Sequence, residues 1–346
     1  MTAKPGPAAE TLPPDEVRAL SASLARMGLV ADGETPVFTP LAGGVSSRIV
    51  RVDTAGGTLC LKKALAQLKV AAEWLAPLER NRAEVAWMRL ADRVVPGLVP
   101  AILGEDPGAW TFAMAYLEPA ANPVWKAQLL AGHADPAMAG AVARALASIH
   151  HATARDEACA RDFANDANFH ALRLDPYFGA AAIAHPDRAA VLQEIIDETA
   201  STRLALVHGD VSPKNILAGQ GGPVLLDAEC AWYGDPAFDT AFCLNHLLLK
   251  CAFRPDAAAG YLACYDAFAA AYLEGVDWEP AARLEARASR LLAAMLLARV
   301  DGKSPVEYLT DAAARERVRG FARSLLLDGT EGLAGIRNRW SKEHHP

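Results

Sequence analysis

The chain is 346 residues long and carries 34 Lys and Arg against 41 Asp and Glu, a net charge of −7. That length holds two domains or one large two-lobed unit, and 52% hydrophobic with 22% charged residues exclude disorder over most of it. The acidic balance argues against a nucleic-acid-binding surface over the whole molecule. No membrane span is expected either: Phe238–Phe253 is interrupted by Asp239, Asn245, His246 and Lys250, and Leu291–Val300 is too short.

In chain order, residues 1–14 hold four prolines without apolar periodicity and are expected as a disordered tail. With no apolar run after a basic start, the expected location is cytoplasmic. Asp15–Val30 follows as an amphipathic helix, with Val17, Leu20, Leu24 and Met27 at helical spacing. Val37–Leu41, Arg48–Asp53 and Thr58–Lys63 read as short strands, and Arg80–Val95 as a helix stopped by Pro96. Leu98–Leu103 and Trp110–Leu117 are expected as two more strands.

After the Pro119–Pro123 connector, six helices are expected: Ala137–Thr153, Pro186–Thr202, Asp239–Cys251, Ala257–Leu273, Glu279–Val300 and Ala312–Leu327. Among them lie two apolar, strand-like runs, Leu204–His208 and Pro223–Asp227, flanking Gly209–Gly222 as a small hairpin-like insert. The six cysteines form no Cys-x-x-Cys pair and read as buried hydrophobes.

The insert carries the chemistry. It reads His208-Gly209-Asp210-Val211-Ser212-Pro213-Lys214-Asn215, then Leu225-Leu226-Asp227-Ala228-Glu229. Asp210 and Asn215 share one tight loop, while Asp227 leaves the end of the second run. Two carboxylates and an amide oxygen on one rim supply hard oxygen ligands for magnesium and a base for a hydroxyl. A phosphoryl-transfer site needs that combination.

The segment resembles the catalytic loop and metal motif of the aminoglycoside phosphotransferase superfamily, small-molecule kinases related in form to the H-R-D-L-x-x-x-N and D-F-G motifs of protein kinases. The resemblance implies a bilobal α+β, protein-kinase-like fold. Residues 15–118 would form a small antiparallel-sheet N-lobe and residues 119–346 a mostly helical C-lobe, with ATP and Mg²⁺ in the cleft. It makes Asp210 the catalytic base, and Asn215 and Asp227 the metal ligands. Glu229 is a further candidate ligand, in an Asp-x-Glu form similar to methylthioribose kinase. In Gly234-Asp235-Pro236-Ala237-Phe238-Asp239, the two aspartates are expected to accept backbone N–H bonds from the catalytic loop. His208 is expected as a buried scaffold residue.

The N-terminal half offers nucleotide-binding candidates. Gly43, Gly44, Ser46 and Ser47 lie between two strands, where bare backbone can approach phosphate; a simple hairpin turn is the other reading. In Leu59-Cys60-Leu61-Lys62, alternate residues share a face, so Lys62 points with Cys60 and away from Leu59 and Leu61. Resemblance to V-A-I-K makes Lys62 the phosphate lysine and Glu84 its ion-pair partner, against an exposed helical Glu as the alternative. It also gives Ala115 and Leu117 an adenine-binding hinge role.

The expected partner is a small-molecule hydroxyl acceptor, a sugar or amino alcohol, with neither nucleic acid nor membrane. The strand–Trp74–Pro77–Arg80 run is again similar to methylthioribose kinase, although Ala293 and Ala294 stand where that branch carries an Arg-Arg pair. Asp256, Asp266, Glu274, Asp277 and Glu279 suit either an aminoglycoside site or a solvated face. An aminoglycoside-modifying enzyme and a nucleotide-binding pseudokinase are the alternatives to a metabolite kinase.

Overall fold

Apolar residues alternating along the early strands build the first of two units into which the chain divides, the part up to Arg89 together with Pro100–Glu118. The computed structural model describes residues 12–41, 46–66 and 77–344. The first unit holds a sheet of β1 (Val37–Pro40), β2 (Ser47–Thr54), β3 (Gly57–Ala64), β4 (Ile102–Asp106) and β5 (Thr111–Ala115), in the order β1-β2-β3-β5-β4 with every pair antiparallel. In register, Val50 faces Leu61 and Val52 faces Leu59. These four, with Ala113, pack against Leu20 and Leu24 of α1 (Pro14–Arg26) in one apolar cluster. The period-2 side chains of the sheet thus meet the helical stripe of α1. At the end of β4, the Asp106 carboxylate accepts from Ser23 Oγ at 2.6 Å and from Arg26, fixing α1 to the sheet. Cys60 and Lys62 take the other face, also buried.

The helix α2 (Arg80–Val94) is shared out between the units, its residues from Leu90 onward counting with the second. The expected strand Leu98–Leu103 is corrected here. Leu98 and Val99 are buried, but the strand begins only at Ile102. Pro100 has no N–H to give a ladder, and the Leu98 carbonyl instead accepts from Leu225 N at 2.7 Å inside the second unit.

The second unit, Leu90–Val99 and everything from Pro119, is mostly helical. The helix α9 (Ala237–Phe253) runs through its middle, with Ala237–Ala252 buried without a break. Around it lie α4 (Pro136–Thr153), α10 (Ala258–Glu274), α11 (Ala281–Asp301) and α12 (Ala312–Asp328). Among the described residues no helix is long and apolar enough to cross a membrane. Four polar side chains, Asp239, Asn245, His246 and Lys250, interrupt α9, and all four are buried.

Several elements went unforeseen. These include the short α3 (Trp125–Leu130), a π-helical segment His170–Gly179, and a last helix, Gly332–His344. The hairpin-like insert is also paired differently from expectation. β6 (Ala205–Val207) pairs with β9 (Trp232–Gly234), and the tight hairpin is β7 (Ile216–Gly219) with β8 (Gly222–Leu225). The turn at Gly219–Gly222 closes the hairpin locally, so Leu204–His208 finds its partner further on. Residues 1–11 of the expected tail lie outside the described residues; Pro14 already begins α1.

The α1–sheet contact yields a stability test. Leu24 is fully buried there, and Leu24→Ala is expected to cost about 2–5 kcal/mol. The check is a lower urea midpoint in equilibrium unfolding.

Candidate active site

The loop from His208 to Asn215 connects β6 to β7, and its course is set by side chains more than by its own short turns. From α9, Asp239 accepts the His208 N–H at 2.7 Å on Oδ2 and the Gly209 N–H at 2.8 Å on Oδ1. His150 of α4 approaches the same Oδ2 at 3.3 Å, its other ring nitrogen 2.6 Å from the Tyr272 hydroxyl. Gly209 has φ +78°, and a Cβ there would stand 2.7 Å from the Cys230 carbonyl oxygen. Both the backbone conformation and the close approach require glycine.

His208 is a scaffold residue. Its Nε2 lies 3.1 Å from the Leu226 carbonyl, which can only accept, so Nδ1 is left to accept the Asp210 N–H at 3.1 Å. One neutral tautomer therefore ties the loop to the segment leading into Asp227. Burial lowers the proton affinity of the ring and outweighs the nearby carboxylates Asp239, Asp210 and Asp227.

Asp210 is 4% exposed. Burial alone would push its carboxyl up, but Lys214 and Arg173 overcome this and hold it below the ordinary aspartate range, with Asp227 opposing them. The Lys214 ammonium lies 3.2 Å from Oδ2 and the Arg173 guanidinium 2.9 Å from it. Arg173 also donates through Nε to the Gly209 carbonyl and through a second nitrogen to the Leu172 carbonyl at 2.8 Å. A buried, ionised carboxylate compensated from two sides is a base in its working protonation state.

Asn215 is buried, and its Nδ2 donates to the Asp210 carbonyl at 3.1 Å, which turns the amide oxygen away from that contact. The Asn215 carbonyl accepts from Leu226 N at 2.8 Å, joining the loop to the strand end before Asp227. Asp227 takes φ +68°, a left-handed conformation unusual for a residue with a Cβ. Asp227 is partly buried and Glu229 is buried. Among the described residues no group of three or more His, Cys, Asp or Glu side chains gathers that could hold a metal ion. The oxygen donors nearest the loop are thus one amide and separate carboxylates, a set that suits a magnesium ion mainly coordinated by phosphates and water.

Asp235 departs from expectation. It is fully buried, but its carboxylate accepts from Ala237 N at 3.0 Å and pairs with Arg287 at 2.9 Å. It therefore starts α9 while Asp239 alone of the two holds the loop. Trp232 and Tyr233 are core residues: Trp232 stacks on Phe169 at 4.3 Å, and the Tyr233 hydroxyl donates to the Leu204 carbonyl. Asp256, Asp266 and Asp277 are exposed and pair with Arg254, Arg337 and His151.

In the first unit, Lys62 Nζ and Glu84 Oε1 are 2.7 Å apart, with both side chains buried. Ser46 and Ser47 are buried, and the Ser46 carbonyl accepts from Leu65 N at 3.0 Å and from the Arg80 guanidinium at 2.6 Å. Arg80 also donates to the Leu65 and Pro77 carbonyls, so one buried cation ties the start of β2 and the end of β3 to the start of α2. Gly43, Gly44 and Trp74 lie outside the described residues. Ala115 ends β5 and Leu117 lies two residues beyond it, both partly buried.

Sequence reasoning missed Arg173, Lys214 and His150. Arg173 sits in the π-helical segment some 37 positions before Asp210, and no motif marks it. Lys214 had a local signal, since i and i+4 positions in a tight loop bring opposite charges together.

The APH family model, described as a phosphotransferase enzyme family, matches residues 37–283. Methylthioribose kinase from Erwinia tasmaniensis is 27% identical over 231 residues, covering 59% of this chain and 57% of that protein, so the match spans less than two thirds of the relative. Among solved structures, Plasmodium vivax ethanolamine kinase is similar with a TM-score of 0.54 at 13% identity, over 85% of this chain and 84% of that one. Choline kinase from Cryptosporidium parvum gives 0.51 at 12% identity, over 88% and 93%. An aminoglycoside phosphotransferase from Alicyclobacillus acidocaldarius gives 0.50 at 16%, over 97% and 98%. The fold is thus the α+β, protein-kinase-like fold of small-molecule kinases.

The charge balance at Asp210 is testable directly. Arg173→Met removes a cation that favours the ionised carboxylate, so the Asp210 pKa is expected to rise. Carboxyl-carbon NMR should show its titration moving to higher pH than in the wild type. Arg173→Lys should move it less.

Proposed function

The chain belongs to the phosphotransferase enzyme family APH, and from that premise we propose that it moves the γ-phosphoryl group of ATP to a hydroxyl of a small metabolite. The observation that carries this reading is Asp210, buried and kept ionised by Lys214 and Arg173 on a loop fixed by Asp239. In the proposed reaction Asp210 orients the acceptor hydroxyl and takes its proton. The acceptor oxygen bonds to the γ-phosphorus, the bond from that phosphorus to the β–γ bridging oxygen breaks, and ADP leaves with no covalent enzyme intermediate.

Asn215 and Asp227 would hold Mg²⁺, with Glu229 a further carboxylate close by in sequence, and the ion supplies neutralisation of the triphosphate charge when bound. Lys62, aligned by Glu84, is proposed to fix the α and β phosphates. Gly43, Gly44, Ser46 and Ser47 would add backbone and hydroxyl donors, and Ala115 and Leu117 the edge that meets adenine. Residues 15–118 and 119–346 are proposed to act as nucleotide-binding and catalytic lobes. Catalysis of this kind is positioning plus electrostatic stabilisation. The likeness to methylthioribose kinase supports a sugar-like acceptor.

Coupled ADP release with MgATP over methylthioribose, other pentoses, aminoglycosides, choline and ethanolamine tests the reading. Acceptor-dependent release is expected, and Asp210→Ala should lower it about 10²–10⁴-fold while nucleotide still binds. Wild-type protein that fails to bind ATP, or an Asp210→Ala variant with undiminished turnover, would overturn it. ATP binding without ADP release for any acceptor would favour a pseudokinase.

A further inference from the structure

Against the catalytic loop the second unit encloses a cavity of about 30 Å³ with a basic wall. Lys214 comes to it from the loop, Lys126 from α3, His246 and Lys250 from α9, Arg299 from α11, and Tyr308 from the segment that follows. The charges on this wall do not cancel. Lys126 is paired with Glu307, and Lys214 with Asp210. Lys250 is 1% exposed and, among the described residues, has no carboxylate partner; its ammonium lies 3.7 Å from the centre of the Tyr308 ring. Arg299 is 9% exposed, and its partners are neutral: the Ser304 carbonyl and hydroxyl, and the Tyr177 hydroxyl at 3.4 Å.

Hydrogen-bonding capacity on the same wall is also unspent. Arg299 Nε, the Tyr308 hydroxyl and His246 Nε2 are buried without a hydrogen-bond partner, and His246 as a whole is 4% exposed. Burying a cation without a counter-charge is costly, and so is a buried polar atom left unbonded. Burial, then Lys126 and Arg299, push the Lys250 ammonium down to about 7, with only Glu307 opposing them. Arg299 with neutral partners only, a Lys250 that is protonated in part at neutral pH and would gain its full charge beside an anion, and three polar atoms without a partner around one small space favour an anionic group.

Volume and placement narrow the anion further. The cavity is small, so it receives one end group of an acceptor. Lys214 lines the cavity while its ammonium stands 3.2 Å from Asp210 Oδ2. Lys214 thus links the cavity to the Asp210 carboxylate. We propose that the acceptor is a hydroxy acid, its carboxylate seated among Lys250, Arg299, His246 and Tyr308 and its hydroxyl presented to Asp210. The inference rests on the kinase reading above and names its substrate class. The carboxylate is a spectator in the transfer: the hydroxyl alone gains phosphorus and loses its proton. Choline-like and polyamine-like acceptors would bring positive charge to a wall that already has it in excess. Arg299 and Tyr308 lie beyond residue 283, where the family match ends, while Lys126, Lys214, His246 and Lys250 lie within it.

Matched acceptors test the proposal: glycerate against glycerol, gluconate against sorbitol, and ribonate against ribitol. Each is assayed for ADP release with MgATP and for binding by titration calorimetry, on the wild type, Lys250→Met and Tyr308→Phe. The acid of a pair is expected to exceed its neutral partner in kcat/KM by about tenfold or more. That preference should collapse in Lys250→Met through KM and weaken in Tyr308→Phe. Lys250→Met loses a buried charge, so it should melt no lower than the wild type; Tyr308→Phe loses one hydroxyl and guards against misfolding. Neutral or cationic acceptors turned over in preference to the acids, or an acid preference untouched by both variants, would overturn the proposal and leave the kinase reading standing. Acid binding that disappears in Lys250→Met without any ADP release would keep the anion subsite and sink the kinase reading. If no acid is bound or turned over, the proposal fails.

Discussion

The carboxylate of Asp239 accepts two consecutive backbone N–H groups, those of His208 and Gly209, and the geometry of the whole loop follows from that clasp. Ser212 N and Asn215 N bond within the loop, to the Asp210 and Ser212 carbonyls, but the N–H groups of His208 and Gly209 take their acceptor from outside it, and inside a protein an unsatisfied N–H is costly. Placing the acceptor on α9, the most buried helix of the unit, gives the loop a rigid reference. Gly209 can then turn into the left-handed region against Cys230, and Asp210 emerges with its side chain toward Arg173 and Lys214. His208 repeats the device one step further, bonding the loop on one side and the segment before Asp227 on the other. Tyr272 and His150 extend it into α10 and α4. Position is thus inherited from the helical core through a chain of directional bonds.

Two neighbouring regions treat buried charge in opposite ways. At Asp210 one carboxylate meets two cations and stays ionised. In the basic cavity Arg299 meets neutral partners only, and Lys250 lies over the Tyr308 ring, with Glu307, itself paired with Lys126, on the same wall. Proteins rarely bury ions unpaired for stability, because hydrophobic residues of similar size would serve as well or better. The first arrangement prepares a base. The second is intelligible as a receptor for charge that arrives with a ligand.

Much of this was legible in the residues themselves. Alternation along Leu59–Lys62 separates the face that packs on α1 from the face that carries Cys60 and Lys62, because side chains on a strand can only alternate. The helical spacing of Leu20 and Leu24 likewise foretold the stripe that covers the sheet. The motif around Asp210 placed Asp210 and Asn215 on one loop, since they are five positions apart. What failed was long-range. Strand pairing of Leu204–His208 depends on a competing local hairpin, which hydrophobicity does not rank. Asp235 and Asp239 are chemically equivalent in sequence, and only the direction of α9 decides which of them reaches the loop. Arg173 could not be singled out, because a π-helical turn with Pro176 inside it carries no distinctive apolar period.

The polar residues of α9 show how one pattern admits two explanations. Asp239, Asn245, His246 and Lys250 first argue only that this apolar stretch does not cross a membrane. In the folded chain they lie along a helix whose surroundings are protein on every side, so each had to find a partner or a purpose. Asp239 found the catalytic loop. His246 and Lys250, seven and eleven positions further on, recur after about two and three helical turns and therefore return to the side of the helix that Asp239 occupies, where the far end of the same loop, Ser212–Lys214, passes. A single helix face thereby holds the start of the Asp210 loop through Asp239 and carries His246 and Lys250 beside its far end, so one rigid element sets the spacing between the two.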